Sequence, residues 1–225
     1  MSIQENVKHW IDILPQDVRL IAVSKTHSPQ RIMDAFASGQ RAFGENYVQE
    51  FMQKAPSLPS DIEWHFIGHL QSNKVKQMLP WVHWIHAVDS MKLLREIEKH
   101  AEKNNRRVQV LLQMHIASEE TKFGMNPQEL DELLEVYLEG KSSNILLRGL
   151  MGMASFSENE ALVRGEFRKL KTQFDAIGMR KHERLTQWDT LSMGMSGDWR
   201  WAEEEGSTMV RIGSAIFGER NYTSL

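Results

Sequence analysis

The chain has 225 residues, 41% of them hydrophobic and 25% charged, with a formal net charge of −3. That balance excludes a global basic field for nucleic acid or an acidic membrane surface, and no uncharged apolar stretch is long enough to span a bilayer. The absence of cysteine excludes disulfides and thiolate metal sites and fits a reducing cytoplasm, and the first ten residues contain no apolar signal core. The length suits one barrel domain covering residues 1–225.

A leading helix is predicted over residues 3–14. Apolar runs then predict eight strands, at 19–23, 41–43, 64–67, 84–88, 108–114, 146–153, 190–193 and 209–217. Runs this continuously apolar fit strands buried on both faces of a parallel sheet. Between them lie amphipathic segments with their own punctuation. Ser28 is placed to cap a helix with Pro29 in its first turn, Ile32, Met33 and Phe36 on one face, and Gly39 at its end. Asn126-Pro127 opens another, running through Leu130, Leu133, Leu134 and Tyr137 to Gly140. Ser157-Glu158-Asn159-Glu160 reads as a capping box for a long helix ending near Gly178. The alternation predicts a single (β/α)8 TIM-type barrel with a leading N-terminal helix; a doubly wound open sheet with fewer strands is the alternative.

In such a barrel the carboxyl ends of all strands meet at one opening. Lys25 closes the first apolar run, so its ammonium would lie at that opening, able to lose its proton and attack an aldehyde. At the other end of the chain, Ser192-Met193-Gly194-Met195-Ser196-Gly197 and Val210-Arg211-Ile212-Gly213-Ser214-Ala215 read as two phosphate-gripping turns. Gly213 permits close backbone approach, Ser214 offers N–H and hydroxyl, and Arg211 is either a structural ion pair or a phosphate clamp. An amine plus a phosphate cup suggests pyridoxal 5'-phosphate (PLP). Asn46, after the second strand, could donate to that cofactor's phenolate oxygen or serve as a helix cap. His65 and His69 have a zinc-like spacing, but on a strand and turn it does not bring them to one face, so no metal site is expected. His83 and His86 are expected to pack beside Trp81 and Trp84.

Several segments then appear in one order. They are Val23-Ser24-Lys25, Phe43-Gly44-Glu45-Asn46, His65-Phe66-Ile67-Gly68, Leu70-Gln71-Ser72-Asn73-Lys74 and His86-Ala87-Val88-Asp89-Ser90. Glu119-Glu120-Thr121-Lys122-Phe123-Gly124, Gly149-Leu150-Met151-Gly152-Met153, Ser192-Met193-Gly194-Met195-Ser196 and Gly206-Ser207-Thr208-Met209-Val210-Arg211-Ile212-Gly213 follow. Together they resemble the pyridoxal phosphate homeostasis proteins, from about Leu20 to Phe217. The resemblance implies a barrel similar to the N-terminal domain of bacterial alanine racemase. It implies an internal aldimine (a Schiff base) at Lys25, phosphate contacts from Ser196, Arg211, Gly213 and Ser214, and Asn46 beside the ring. It also implies a protein that binds and buffers PLP in vitamin B6 balance, without an established reaction. His115 stands where many members have asparagine, and Ser214 where many have threonine.

Three functions compete. A cofactor carrier, handing PLP to apo-enzymes, needs only the amine and the cup. An amino-acid racemase needs a second base on the opposite ring face, which in the racemase that this barrel resembles comes from beyond the barrel. This chain is expected to be too short for a second domain, and of Tyr47, Tyr137 and Tyr222 only Tyr47 is expected near the opening. A sugar-phosphate isomerase would use the same cup with Glu45 or Asp89 as base, though helix capping explains both carboxylates more simply. The carrier is the favoured reading.

Overall fold

The computed structural model describes residues 1–118, 123–140 and 144–219. Eight parallel strands close into a barrel in sequence order, each hydrogen-bonded to the next and the last to the first. They are β1 (Arg19–Val23), β2 (Ala42–Glu45), β3 (Glu63–Phe66), β4 (Trp84–Val88), β5 (Val108–Met114), β6 (Ile145–Gly152), β7 (Thr190–Met195) and β8 (Met209–Ile212). The helices are α1 (Ile3–Ile13), α2 (Pro29–Phe36), α3 (Val48–Lys54), α4 (Val75–Met78), α5 (Met91–Lys103), α6 (Pro127–Glu139), α7 (Glu160–Gly178), α8 (Trp199–Glu204) and α9 (Ser214–Phe217). The barrel, its leading helix and the strand ranges 19–23, 84–88 and 108–114 agree with the sequence reading.

Two apolar clusters show which way the strands face. Ile21, Ala42, Trp84, Leu111, Met151 and Met209 pack with one another from six strands and fill the barrel interior. Their strand neighbours Leu20, Ala22, Phe43, Leu112, Leu150 and Val210 belong to the larger cluster between sheet and helices. Side chains alternate across a strand, so Ile21 and Val23 share the inward face of β1 and Met209 and Arg211 that of β8, while Lys25 follows in the turn after β1.

Two local expectations are corrected. The last predicted strand, 209–217, stops at Ile212, because Gly213 (φ −115°, ψ −82°) leaves the extended region and residues 214–217 turn into α9. Ile216 and Phe217 are still buried, so the apolar run concealed a change of period. The cap of α7 is Asn159, whose side chain accepts from the Leu162 N–H at 3.2 Å; Ser157 Oγ instead accepts from the Asn159 N–H at 3.1 Å. Ser28 does occupy the cap position of α2, without a side-chain cap bond.

α1 opens with a reciprocal capping box between Ser2 and Glu5 and buries Val7 and Trp10. Asn6 Nδ2 donates to the Ile216 carbonyl at 2.9 Å, and Arg31 of α2 donates to the Phe217 carbonyl. His27 stacks on Phe217 with ring centroids 5.0 Å apart. The leading helix and the loop after β1 therefore hold α9 in place, directly after the turn expected to grip phosphate.

Candidate functional site

Strand register brings the two ends of the chain together. Ala22 pairs with Ile212, Val23 with Gly44, and Met195 with Arg211. A Cβ on Gly213 would lie 3.4 Å from Val23 Cβ, which is ordinary contact. Lys25, two residues beyond Val23, therefore stands at the carboxyl-end mouth between the Asn46 side and the Gly213-Ser214 side. It is half-buried.

The β7 half of the cup is a closed turn. Asp198 Oδ1 accepts the Met195 N–H at 2.6 Å, and the Asp198 N–H returns to the Met195 carbonyl at 3.2 Å. Ser196 and Gly197 sit at the tip of this turn, and a Cβ on Gly197 would meet open space. The β8 half is the exposed Ser214 at the start of α9, where the Gly213 carbonyl takes the Ile216 and Phe217 N–H groups at 2.9 Å and the helix leaves those of Ser214 and Ala215 for other acceptors. The sequence-predicted residues Lys25, Asn46, Ser196, Gly213 and Ser214 thus follow the inner ends of four strands around one opening.

Arg211 lies deeper. It is buried and inward-facing, with Nη1 donating to the carbonyl (2.9 Å) and hydroxyl (2.7 Å) of Ser192 and Nη2 to the Gly152 carbonyl (3.1 Å). Burial pulls its pKa down to about 10, opposed by the charge of Asp198, so it stays cationic at neutral pH. These three bonds leave further N–H groups of the guanidinium's five.

Asn46 is held by the strand beside it. A Cβ on Gly68 would fall 2.2 Å from the Asn46 carbonyl oxygen and 2.8 Å from its Cγ, so only glycine lets the two loops touch. The cap of α3 is Tyr47, with no side-chain cap bond, which removes the capping role considered for Asn46. Glu45 is no cap either. It is fully buried, takes hydrogen bonds from Ser24 Oγ (2.6 Å) and Lys54 Nζ (2.8 Å), and burial pushes its carboxyl up to about 7 against the pull of Lys54. Asp89 pairs with His69 at 3.2 Å, while Ser90 caps α5. Both carboxylates were expected as caps; tertiary partners claimed them instead.

Around the rim, His69 stacks on the exposed Phe123 at 4.1 Å. His65 points into the barrel, so the two histidines do not share a site, and His86 does pack beside Trp84, at 6.2 Å. His83 Nδ1 instead accepts the Trp64 N–H at 3.1 Å. His115 is half-buried after β5. Residues 119–122 of the charged loop that follows lie outside the described residues.

Sequence reasoning missed three polar assemblies. One is Ser24–Glu45–Lys54–Glu50, beside Lys25. The second is Glu166, a buried carboxylate of α7 that binds the Ser118 N–H and the Ser155 N–H and hydroxyl, joining the loops after β5 and β6. The third runs through the barrel interior from His65 to His86 to Ser192 to Arg211. Their signal was present: Lys54 lies three residues from Phe51, and Glu166 stands among Val163, Phe167 and Leu170, so each charge occupies the buried face of its helix.

Fold and mouth define a class: a parallel (β/α)8 barrel with a strand-end amine set beside two serine- and glycine-bearing turns. A sequence profile described as the alanine racemase N-terminal domain matches residues 1–221. A pyridoxal phosphate homeostasis protein of Aquifex aeolicus is 44% identical, over 91% of this chain and 88% of the relative. One from Vibrio alginolyticus is 40% identical over 99% of both chains. The solved structure of PipY from Synechococcus elongatus with PLP bound superposes with a TM-score of 0.87 at 35% identity, over 96% of this chain and 100% of that one. The chain belongs to the pyridoxal phosphate homeostasis protein family, on the barrel of the alanine racemase N-terminal domain. An alanine racemase from Corynebacterium glutamicum shares the fold, with a TM-score of 0.76 at 14% identity, over 99% of this chain and 62% of the racemase.

Proposed function

We propose that this protein binds PLP at the barrel mouth and buffers it, releasing it to apo-enzymes as part of vitamin B6 homeostasis. The observation that carries the reading is the register of β1 with β8 and of β7 with β8. It brings the turn that carries Lys25 next to Gly213-Ser214, with the Met195–Asp198 turn on the following strand, which supports an amine set against a phosphate cup. The donor set suits the cofactor: an amine for an aldehyde, and turn N–H groups, hydroxyls and a buried guanidinium for a phosphate dianion. A further buried oxygen, Thr26 Oγ1, has no hydrogen-bond partner and follows Lys25 directly.

In this reading Lys25 Nζ holds the cofactor covalently as a Schiff base. Ser196, Gly213 and Ser214 contact the phosphate, and Arg211 adds its charge from beneath. Asn46, fixed against Gly68, lies beside the ring. The domain is one PLP-binding barrel over residues 1–225. When bound, PLP supplies an electrophilic aldehyde; the chain's own contribution is to hold and orient it.

The carrier reading is preferred to the racemase because a racemase needs a second proton carrier across the ring. Tyr137 is buried, its hydroxyl shared between the Ile145 carbonyl and the Leu147 N–H at 3.4 Å, near the amino end of β6. Tyr47 is half exposed on the rim with no cap or clamp bond to fix it, and Tyr222 lies outside the described residues. No described helix is long and apolar enough to cross a membrane, and the cysteine-free composition suits a cytoplasmic site of action.

Purified protein is expected to carry a visible absorbance band that disappears on borohydride reduction. Colourless protein that stays colourless after incubation with PLP would overturn the reading. Alanine racemisation at many turnovers per second, lost in Lys25→Ala and reduced in Tyr47→Phe, would replace the carrier with the enzyme.

A further inference from the structure

Both peptide groups that flank Lys25 are gripped by side chains of α3. The Ser24 carbonyl, in the peptide before Lys25, accepts from Lys54 Nζ at 2.9 Å. The Thr26 N–H, in the peptide after it, donates to Glu50 Oε1 at 2.5 Å. Lys54 Nζ also donates to that Glu50 oxygen at 2.5 Å and to Glu45 Oε1 at 2.8 Å. An ammonium has three N–H groups, and these three acceptors use them all. Ser24 Oγ donates to the same Glu45 oxygen, closing the cluster beneath the strand end.

The held backbone is strained. Thr26 has φ +67°, a left-handed conformation that a β-branched residue rarely adopts. Such strain persists only where the surroundings impose it. The cluster that imposes it is itself costly, since it takes the ionisable side chains of Lys54 and Glu45 out of water. Apolar side chains of the same size would fill that space at no desolvation cost. What they could not do is bind one carbonyl and one N–H on either side of a single residue.

We propose that Glu50 and Lys54 are positioning residues for Lys25, clamping the peptides on both sides of it so that its amine is aimed inward at the barrel mouth. This rests on the reading of Lys25 as the covalent anchor of PLP. In that attachment the neutral Lys25 amine adds to the aldehyde carbon and a C=N bond forms. The aldehyde oxygen leaves as water, carrying the two amine protons, and no oxidant or reductant takes part. The clamp acts on the geometry of that attack and leaves the phosphate cup, on β7 and β8, untouched.

Two ligands separate the contributions. Pyridoxine 5'-phosphate keeps the ring and phosphate but has an alcohol in place of the aldehyde, so it reports the cup alone. PLP reports the cup and the amine together. For Glu50→Ala and Lys54→Met, the Kd for pyridoxine 5'-phosphate is expected to stay within about twofold of the parent, while the visible band with saturating PLP appears about tenfold or more slowly. Glu50→Gln, whose amide oxygen can still accept the Thr26 N–H, should recover most of the rate. Should Lys54→Met not fold, Glu50→Ala carries the test, since Glu50 is only partly buried. Wild-type attachment rates in both variants would overturn the proposal. So would a parallel loss of pyridoxine 5'-phosphate binding and thermal stability, which would make the cluster merely structural. If borohydride trapping of the wild-type protein places no pyridoxyl group on Lys25, the parent reading fails first, and the clamp with it.

Discussion

His65 Nδ1 and His86 Nε2 face each other at 2.9 Å inside the barrel. Both rings are fully buried, and His65 lies flat against Trp84 at 5.4 Å. Burial lowers the pKa of His65 to about 4 although the Glu63 carboxylate pulls the other way, and it lowers His86 as well. One ring nitrogen must carry the shared proton while both rings stay neutral, because two imidazolium rings at this distance would repel in a dry interior.

This pair predicts acid sensitivity. A histidine with a depressed folded pKa binds more protons when unfolded, so stability falls as pH drops below 6.5, and for His65 the loss is complete near pH 4. A shift from 6.5 to about 4 is worth about 3 kcal/mol at the acid limit. Glu45, raised to about 7, acts in the opposite sense: its contribution is full below 4.5 and lost as pH rises through 7. His65→Gln, which keeps a hydrogen-bonding side chain but cannot titrate, isolates the first effect. Urea midpoints between pH 4 and 6.5 should fall less steeply in the variant; equal slopes would show that His65 is not the acid-labile group.

Lys25→Ala should abolish covalent attachment and leave the fold intact, since the side chain is half-buried at the mouth. Peptide mapping after borohydride reduction should find the pyridoxyl group on Lys25 in the parent. Finding it on Lys74 or Lys122 would reassign the anchor.

Arg211→Ala should weaken retention of PLP by about tenfold or more, because hydrogen bonds to charged groups contribute about 1.5–3 kcal/mol each. It also leaves the Ser192 and Gly152 carbonyls without their donor, so some loss of thermal stability accompanies it. The discriminating measurement is the ratio of affinities for PLP and pyridoxal. That ratio should be large in the parent and collapse in the variant; equal binding of the two by the parent would remove the phosphate cup altogether.

Gly68→Ala should act through Asn46. The new Cβ would fall 2.2 Å from the Asn46 carbonyl oxygen, so backbone must move. A shift of the visible band and about fivefold weaker PLP binding are expected, matching the loss of one hydrogen bond, and Asn46→Ala should reproduce both. An unchanged spectrum in Asn46→Ala would place that side chain away from the ring.

Glu166→Ala should destabilise the fold by about 2–4 kcal/mol. The carboxylate accepts the Ser118 N–H at 3.0 Å, the Ser155 N–H at 2.7 Å and the Ser155 hydroxyl at 2.7 Å, and all three donors lose that partner. Urea unfolding measures the effect. A change below about 0.5 kcal/mol would mean that water replaces the carboxylate freely.

Sequence alone determined the architecture, because strand and helix periods are local properties of side-chain order. Near-continuous apolar runs such as 20–23 fit burial on both faces, and alternating them with amphipathic segments predicts a parallel sheet covered by helices, the count of eight favouring a barrel over an open sheet. Strand ends follow from that pattern, so the sequence makes Lys25, Asn46, Ser196 and Gly213 legible as residues that follow strand ends at one opening. Partners were not legible. Glu45 resembled a cap until β2 was set against β1 and α3, where Ser24 and Lys54 claimed it. Arg211 read equally as a structural ion pair or a phosphate clamp until the inward register of β8 sent its guanidinium toward Ser192 and Gly152. The physical reason is the same in each case. Whether a polar side chain meets water, a ligand or a buried partner depends on contacts between residues such as Ser192 and Arg211, or His65 and His86. Those contacts exist only once register and closure have been set by the whole barrel.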